Sequence, residues 1–188
     1  MNVFTEEIIR GDIAIQDGII AGIGSFHGKE ERDLAGRYVC PGFIDSHLHL
    51  ESTLVTPAEL VTVASRHGTT TFIVDPHESA NVSGLAGIDY ILDQTEDVKA
   101  NVYVMMPSCV PATAIDDNGC TLTAEDMAPY LHNSRILGLG EVMDSISVVQ
   151  GDKTMHDKLE LFEGRIRDGH APFLEAVSYT HLTLPTIA

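Results

Sequence analysis

The amino-acid sequence predicts an α/β fold in which a small β segment precedes a parallel sheet covered by helices. Three observations lead there. Short apolar runs recur roughly every thirty residues, helix-like stretches separate them, and each run finishes on polar residues able to bind a metal or carry a proton. Strands buried on both faces by flanking helices read as near-continuous apolar sequence, and an α/β barrel and a doubly wound sheet both satisfy that pattern.

Residues 1–40 form the β segment. Within it "GDIAIQDGIIAGIG" clusters isoleucines around Asp17-Gly18, which signals a hairpin. From residue 43 the strand-like runs are "GFIDSHLHL", "TTTFIVDPH", "ANVYVMMPS" and "RILGLGEVM". Between the first two, "TPAELVTVASRHG" has a threonine cap, Pro57 in its first turn, Glu59 close by and Gly68 at its end, so it is predicted to be a helix. "TAEDMAPYLHN" and "KTMHDKLELFEGRIRDG" are predicted as further helices, the first broken or bent by Pro129. The closing "VSYTHLTLPTIA" completes neither a helix nor a strand-helix unit. Residues 41–174 are therefore expected to hold the first βα units, and 175–188 to be a non-native tail.

With 188 residues, 44% of them hydrophobic, the chain can build one ordinary core. Its 28 acidic residues against 11 lysines and arginines give a charge of -17, which argues against nucleic-acid or anionic-membrane partners and suits a neutral small molecule. Cys40, Cys109 and Cys120 are far apart and form no C-x-x-C, so neither a disulfide framework nor a cysteine-built zinc site is expected. No charged leader and no membrane-spanning run is apparent, and a cytoplasmic location is the expectation.

The chemistry concentrates where the runs end. In "PGFIDSHLHLES", His47 and His49 stand two apart, which in a strand puts them on one face together with Asp45. An isolated H-x-H is more often a chance match. Here the later runs add Asp75 and His77 in "IVDPHES", Ser108 and Cys109 in "MMPSCVPA", Glu141 and Asp144 in "GLGEVMD", and His170 in "RDGHAP". Barrel enzymes build their sites from such C-terminal strand ends. Histidine and carboxylate ligands without thiolate suit Zn, Mn or Fe, and a carboxylate such as Glu141 can bridge two ions.

Together these motifs resemble the amidohydrolase superfamily, with "PGFIDSHLHLES" similar to its H-x-H signature. "DPHE", "SCVPA", "GLGEVMD" and "DGHAP", in that order, resemble its adenine deaminase branch, from about residue 3 to residue 172. The resemblance implies a partial TIM-like (β/α) barrel, with residues 1–40 belonging to a small, composite β-sandwich-like domain. It implies His47, His49, Glu141 and His170 as ligands of a divalent metal, as two ions, with Mn expected before Fe or Zn. Asp75 and His77 would lie beside the substrate or the metals as catalytic groups, and Glu141 would be the first candidate to move a proton. Glu51, Ser108 and Cys109 are candidates for substrate binding.

The implied reaction is hydrolytic deamination of adenine to hypoxanthine and ammonia, in which a metal lowers the pKa of water towards ~7. Adenine would be the partner, with no nucleic-acid polymer and no membrane, and the full-length enzyme would be a homo-oligomer. The superfamily's strand-six histidine and strand-eight aspartate find no counterpart, and relatives begin with one more strand, so an N-terminal fragment inactive by itself is expected.

Two other readings stay open. A dihydropyrimidinase-like hydrolase of cyclic amides would carry a lysine where Glu141 stands, and a truncated fragment would be non-catalytic. Deaminases of the cytidine type need H-x-E with P-C-x-x-C, and His49-Leu50-Glu51 lacks the second half. The other histidines read plainly: His67 closes a helix, while His27, His132 and His156 lie in polar or helical surroundings. Met105 and Met106 are expected to be core.

Overall fold

The fold is described from a computed structural model, which covers residues 1–113 and 115–170. The chain divides at Gly42 into a first unit, Met1–Gly42, and a second that begins at Phe43. The first unit contains strands β1 (Asp12–Gln16) and β2 (Ile19–Gly24), paired antiparallel from Asp12↔Gly24 to Gln16↔Ile19. Asp17 and Gly18 both take positive φ, 52° and 78°, which the two central residues of a type I′ turn require. The predicted hairpin is present at the predicted turn.

In the second unit, strands β3 (Phe43–Leu48), β4 (Thr69–Val74), β5 (Asn101–Pro107), β6 (Ile136–Gly140) and β7 (Ile166–Arg167) form one parallel sheet in the order β3-β4-β5-β6-β7. A doubly wound sheet reverses its strand order at a switch point, whereas a barrel adds each strand beside the last. The sequential order therefore resolves the alternative left by the sequence in favour of a partial barrel.

The connections are α1 (Pro57–Arg66), α2 (His77–Ser83), α3 (Leu85–Gln94), α4 (Ala124–Met127), α5 (Ser145–Gln150) and α6 (Lys153–Leu161). The Thr56 side chain accepts from the Glu59 amide and Pro57 opens α1, as expected. Thr123 and Asp126 close a capping box on α4, and at Ala128 the chain tightens into the 3-10 turn Ala128–His132 around Pro129.

Two expectations change. The helix predicted over 153–169 stops at Leu161: Gly164 at φ 77° reverses the chain, and Ile166 and Arg167 pair with Gly138 and Leu139. A side chain at Gly138 would overlap the Ile166 carbonyl, so glycine is what lets β7 approach. The runs are also not all covered on both faces. Phe43 and Ile44 of β3 stay exposed, and among the described residues β3 has a strand neighbour on one side only.

The core lies behind the inner strands. Val102, Val104 and Met106 of β5 alternate onto one face, and Met105 is buried on the other. Val74, Ile136 and Leu139 join them from the neighbouring strands, packed with Ile88, Ile91, Leu122, Met127 and Phe162. Among the described residues no helix is long and apolar enough to cross a membrane. The proposed tail, residues 175–188, lies outside the described residues.

Candidate metal centre

Parallel strands all end at the same rim, so residues just past them meet although they are distant in sequence. His47 lies within β3 and His49 just beyond its end. Asp75 follows β4 and His77 opens α2, Glu141 follows Gly140 at the end of β6, and His170 lies beyond β7. The Leu48 carbonyl accepts from the Asp75 amide at 2.9 Å, which ties the first two strand ends together.

Glu141 is the centre of the cluster. Its Oε1 is 3.1 Å from His47 Nε2, 3.3 Å from His49 Nε2 and 2.9 Å from His170 Nε2. Its Oε2 is 3.1 Å from His77 Nδ1, which also contacts Asp75 Oδ1 at 2.5 Å. His49 Nδ1 lies 2.8 Å from the Asp75 carbonyl oxygen, a contact that orients its ring with Nε2 towards Glu141. Two donor groups result, His47-His49-Glu141 and Asp75-His77-Glu141, the ligand atoms of each lying within 4.8 Å of one another. Glu141 belongs to both.

The electrostatics follow from burial and pairing. Burial opposes charge on His77, but hydrogen bonds to Asp75 and Glu141 overcome it and raise the imidazole to about 10. Burial would raise Glu141 too, yet His77 and His170 hold its carboxyl down at about 2. Asp75 is pushed up by burial, with His77 opposing. Burial lowers His49, but the Asp75 carbonyl and the carboxylates of Glu141 and Glu78 outweigh it, and the net shift is upward.

Backbone geometry supports the arrangement. A Cβ on Gly140 would overlap Asp75 Oδ2, so glycine there leaves room for the carboxylate. Glu141 takes φ 38°, a left-handed conformation that costs a non-glycine residue roughly 1–3 kcal/mol and persists where the surroundings enforce it.

Of the residues singled out by sequence, His47, His49, Asp75, His77, Glu141 and His170 come together. Glu51 lies at the margin, its Oε1 accepting from the Ser79 amide at 3.0 Å, and burial raises its carboxyl with Glu78 nearby. Ser108 and Cys109 are buried at the end of β5, and the Ser108 hydroxyl donates to the Glu141 carbonyl at 2.8 Å. Asp45 turns back to the His47 amide, and Asp144 caps α5 through the Ser147 amide at 2.9 Å. Sequence reasoning missed Glu78, 3.5 Å from His49 Nδ1, and Asp168, whose Oδ1 accepts from the Glu141 amide at 2.9 Å. The signal for both was position: each is a carboxylate next to a strand end, one or two residues from a singled-out histidine.

Residues 38–172 match the Amidohydrolase family. This chain belongs to that family. Among its relatives are the adenine deaminase of Desulfitobacterium hafniense strain Y51, 59% identical over 93% of this chain, and adenine deaminase 2 of Carboxydothermus hydrogenoformans, 47% identical over 95%. The adenine deaminase of Geobacillus kaustophilus is 48% identical over 94%. In each case the chain spans 31% of the relative's length.

Amidohydrolases are metal-dependent, and the centre fits a divalent cation. Its donors are imidazole nitrogen and carboxylate oxygen, the set that suits borderline and hard ions. Among the described residues, the buried His77 Nε2 and Asp75 Oδ2 find no hydrogen-bond partner, as expected of groups reserved for a ligand.

Proposed function

We propose that this chain carries the metal-binding part of an adenine deaminase, which hydrolyses adenine to hypoxanthine and ammonia, with His47, His49, Glu141 and His170 as metal ligands. One observation carries the reading. A single carboxylate oxygen, Glu141 Oε1, gathers imidazole nitrogens from two separate strand ends beside its own, at 2.9 to 3.3 Å. The names of the similar proteins support adenine as the substrate. The glutamate at this position also weighs against the dihydropyrimidinase-like alternative, which would place a lysine there.

Glu141 sits in both donor groups, so its carboxylate would help to hold either of two ions, Mn being the first choice and Fe or Zn the others. A bound divalent cation supplies the acidity that makes water nucleophilic near neutral pH. The remaining work belongs to the side chains. A C–O bond forms at C6 of adenine and its C–N bond breaks, so a proton must pass from water to a ring nitrogen or the departing amine. Glu141 is assigned that transfer. Asp75 holds the His77 ring through Nδ1 and leaves Nε2 free to meet substrate or metal. Glu51 is assigned a substrate contact, while Ser108 supports Glu141 through its hydroxyl and Cys109 Sγ lies 3.2 Å from that hydroxyl.

The test is hypoxanthine formation from adenine with Mn²⁺, by a protein of the relatives' length that carries this sequence. Glu141→Gln is expected to lower turnover by about 10²–10⁴ with an unchanged circular dichroism spectrum. Wild-type turnover in that variant would overturn the assigned role. Opening of hydantoin rings without adenine deamination would overturn the substrate.

A further inference from the structure

Lys158 is a buried cation outside both donor groups. It lies on α6 with 5% exposure, and its Nζ donates to the Ser108 carbonyl at 2.7 Å. Met155 and Phe162, a turn to either side on the same helix face, are buried as well. Packing alone would favour an apolar residue at this point, since an ammonium is unfavourable in such surroundings unless an acceptor compensates.

Ser108, the acceptor, is held at three atoms. Its amide donates to the Gly140 carbonyl at 3.2 Å, its carbonyl accepts from Lys158, and its hydroxyl donates to the Glu141 carbonyl at 2.8 Å. On the other side Asp168 accepts from the Glu141 amide. The one described residue that belongs to both donor groups is thus gripped at its N–H and at its C=O, and its φ of 38° is a conformation that needs such a grip.

We propose that Lys158 is a positioning residue for the metal centre: through Ser108 it fixes the backbone of Glu141, and so the direction in which that carboxylate meets the imidazoles. The inference rests on the reading of Glu141 as a metal ligand. A helix on the outside of the sheet thereby takes part in setting the ligand geometry without touching a ligand.

The experiment is a Mn²⁺ titration of a protein of the relatives' length that carries this sequence, followed by the electron paramagnetic resonance of free Mn²⁺, with thermal melting of the same samples. Lys158→Met keeps the stem and removes the donor, and Ser108→Ala removes the hydroxyl. Each is expected to weaken Mn²⁺ binding by roughly 10–100-fold, the range for losing an outer partner of a ligand. Their melting temperatures should stay within a few degrees of wild type. Because the two act in series, the double variant should bind no more weakly than the weaker single variant.

Affinity within twofold of wild type in Lys158→Met, alongside lost binding in Glu141→Gln, overturns the inference and leaves the reading of Glu141 intact. Wild-type binding in Glu141→Gln overturns that reading, and the inference with it. A fall in affinity confined to Lys158→Met and matched by a large fall in melting temperature would mean general loosening, and also overturns it. Should Lys158→Met fail to fold, Ser108→Ala decides by the same criterion.

Discussion

The two sides of Glu141 differ in almost every respect except distance. On the rear side, at Oε2, the side chains of Asp75 and His77 are only 4% and 8% exposed. On the front side, at Oε1, the side chains of His47 and His170 are 43% and 61% exposed. The same carboxylate thus meets one imidazole in a low-dielectric interior and others at the edge of solvent. What this teaches is a division of labour: the rear pair is bound into the stability of the fold, while the front histidines can serve chemistry with little bearing on folding.

The sharpest way to break that comparison is to remove one residue from each side. Asp75→Ala leaves the His77 cation buried without its closest partner, and breaking such a pair is expected to destabilise the metal-free protein by about 3–5 kcal/mol. Urea unfolding measures it. A loss below roughly 1 kcal/mol, within the range of an ordinary substitution, would mean that the rear side is not structural.

Gly140→Ala tests the rear side from the backbone. The added methyl would meet Asp75 Oδ2 and Met105, and overpacking of this kind costs about 1–3 kcal/mol. The same unfolding assay should show the drop, and Mn²⁺ binding should weaken with it, since Asp75 must shift. Full stability in this variant would argue that the rear pocket has slack.

A graded effect is expected from pH. His77 is raised from 6.5 to about 10 in the folded chain, so its contribution to metal-free stability is complete below 6.5 and fades as pH rises towards 10. Glu141, lowered from 4.5 to about 2, contributes above 4.5 and loses its effect as pH falls through 2. Stability of the chelator-treated protein should therefore decline between pH 7 and 10. A flat stability profile over that range would sink the account of the rear side.

The smallest effect belongs to the front. His170→Ala, at an exposed position, should change unfolding stability by no more than about 0.5 kcal/mol while still weakening Mn²⁺ binding. A stability loss as large as that of Asp75→Ala would erase the distinction between the two sides.

Both sides were legible in sequence, by different signals. His47 and His49 announce themselves by spacing, and Asp75, His77 and Glu141 by standing where apolar runs end. Barrel strands follow the same logic: β4, β5 and β6 come from continuous apolar runs, whereas two-residue β7 was absorbed into a predicted helix because "LELFEGRIRDG" contains no run long enough to mark it. The supporting groups were harder to read. Asp168 and Glu78 had only their place beside singled-out histidines to mark them, and Lys158 acts on a backbone carbonyl 50 residues away, a distance that local pattern does not encode. Lys158 did leave a trace, since it interrupts the apolar stripe of Met155 and Phe162, but a lone lysine on a helix is ordinarily read as solvated.

The strand order has a consequence for how the molecule comes into being. Among the described residues each of β4 to β7 lies beside the strand that precedes it in the chain, so each of these pairings closes a loop of similar length at similar entropy. These strands can therefore be added in the order of synthesis. His47 and His49 are made first and Glu141 nearly a hundred residues later, so a nascent chain carries imidazoles before it owns the carboxylate that assembles them. Among the described residues of the centre, those made last draw the earlier imidazoles together, and the earliest fix only where it will stand.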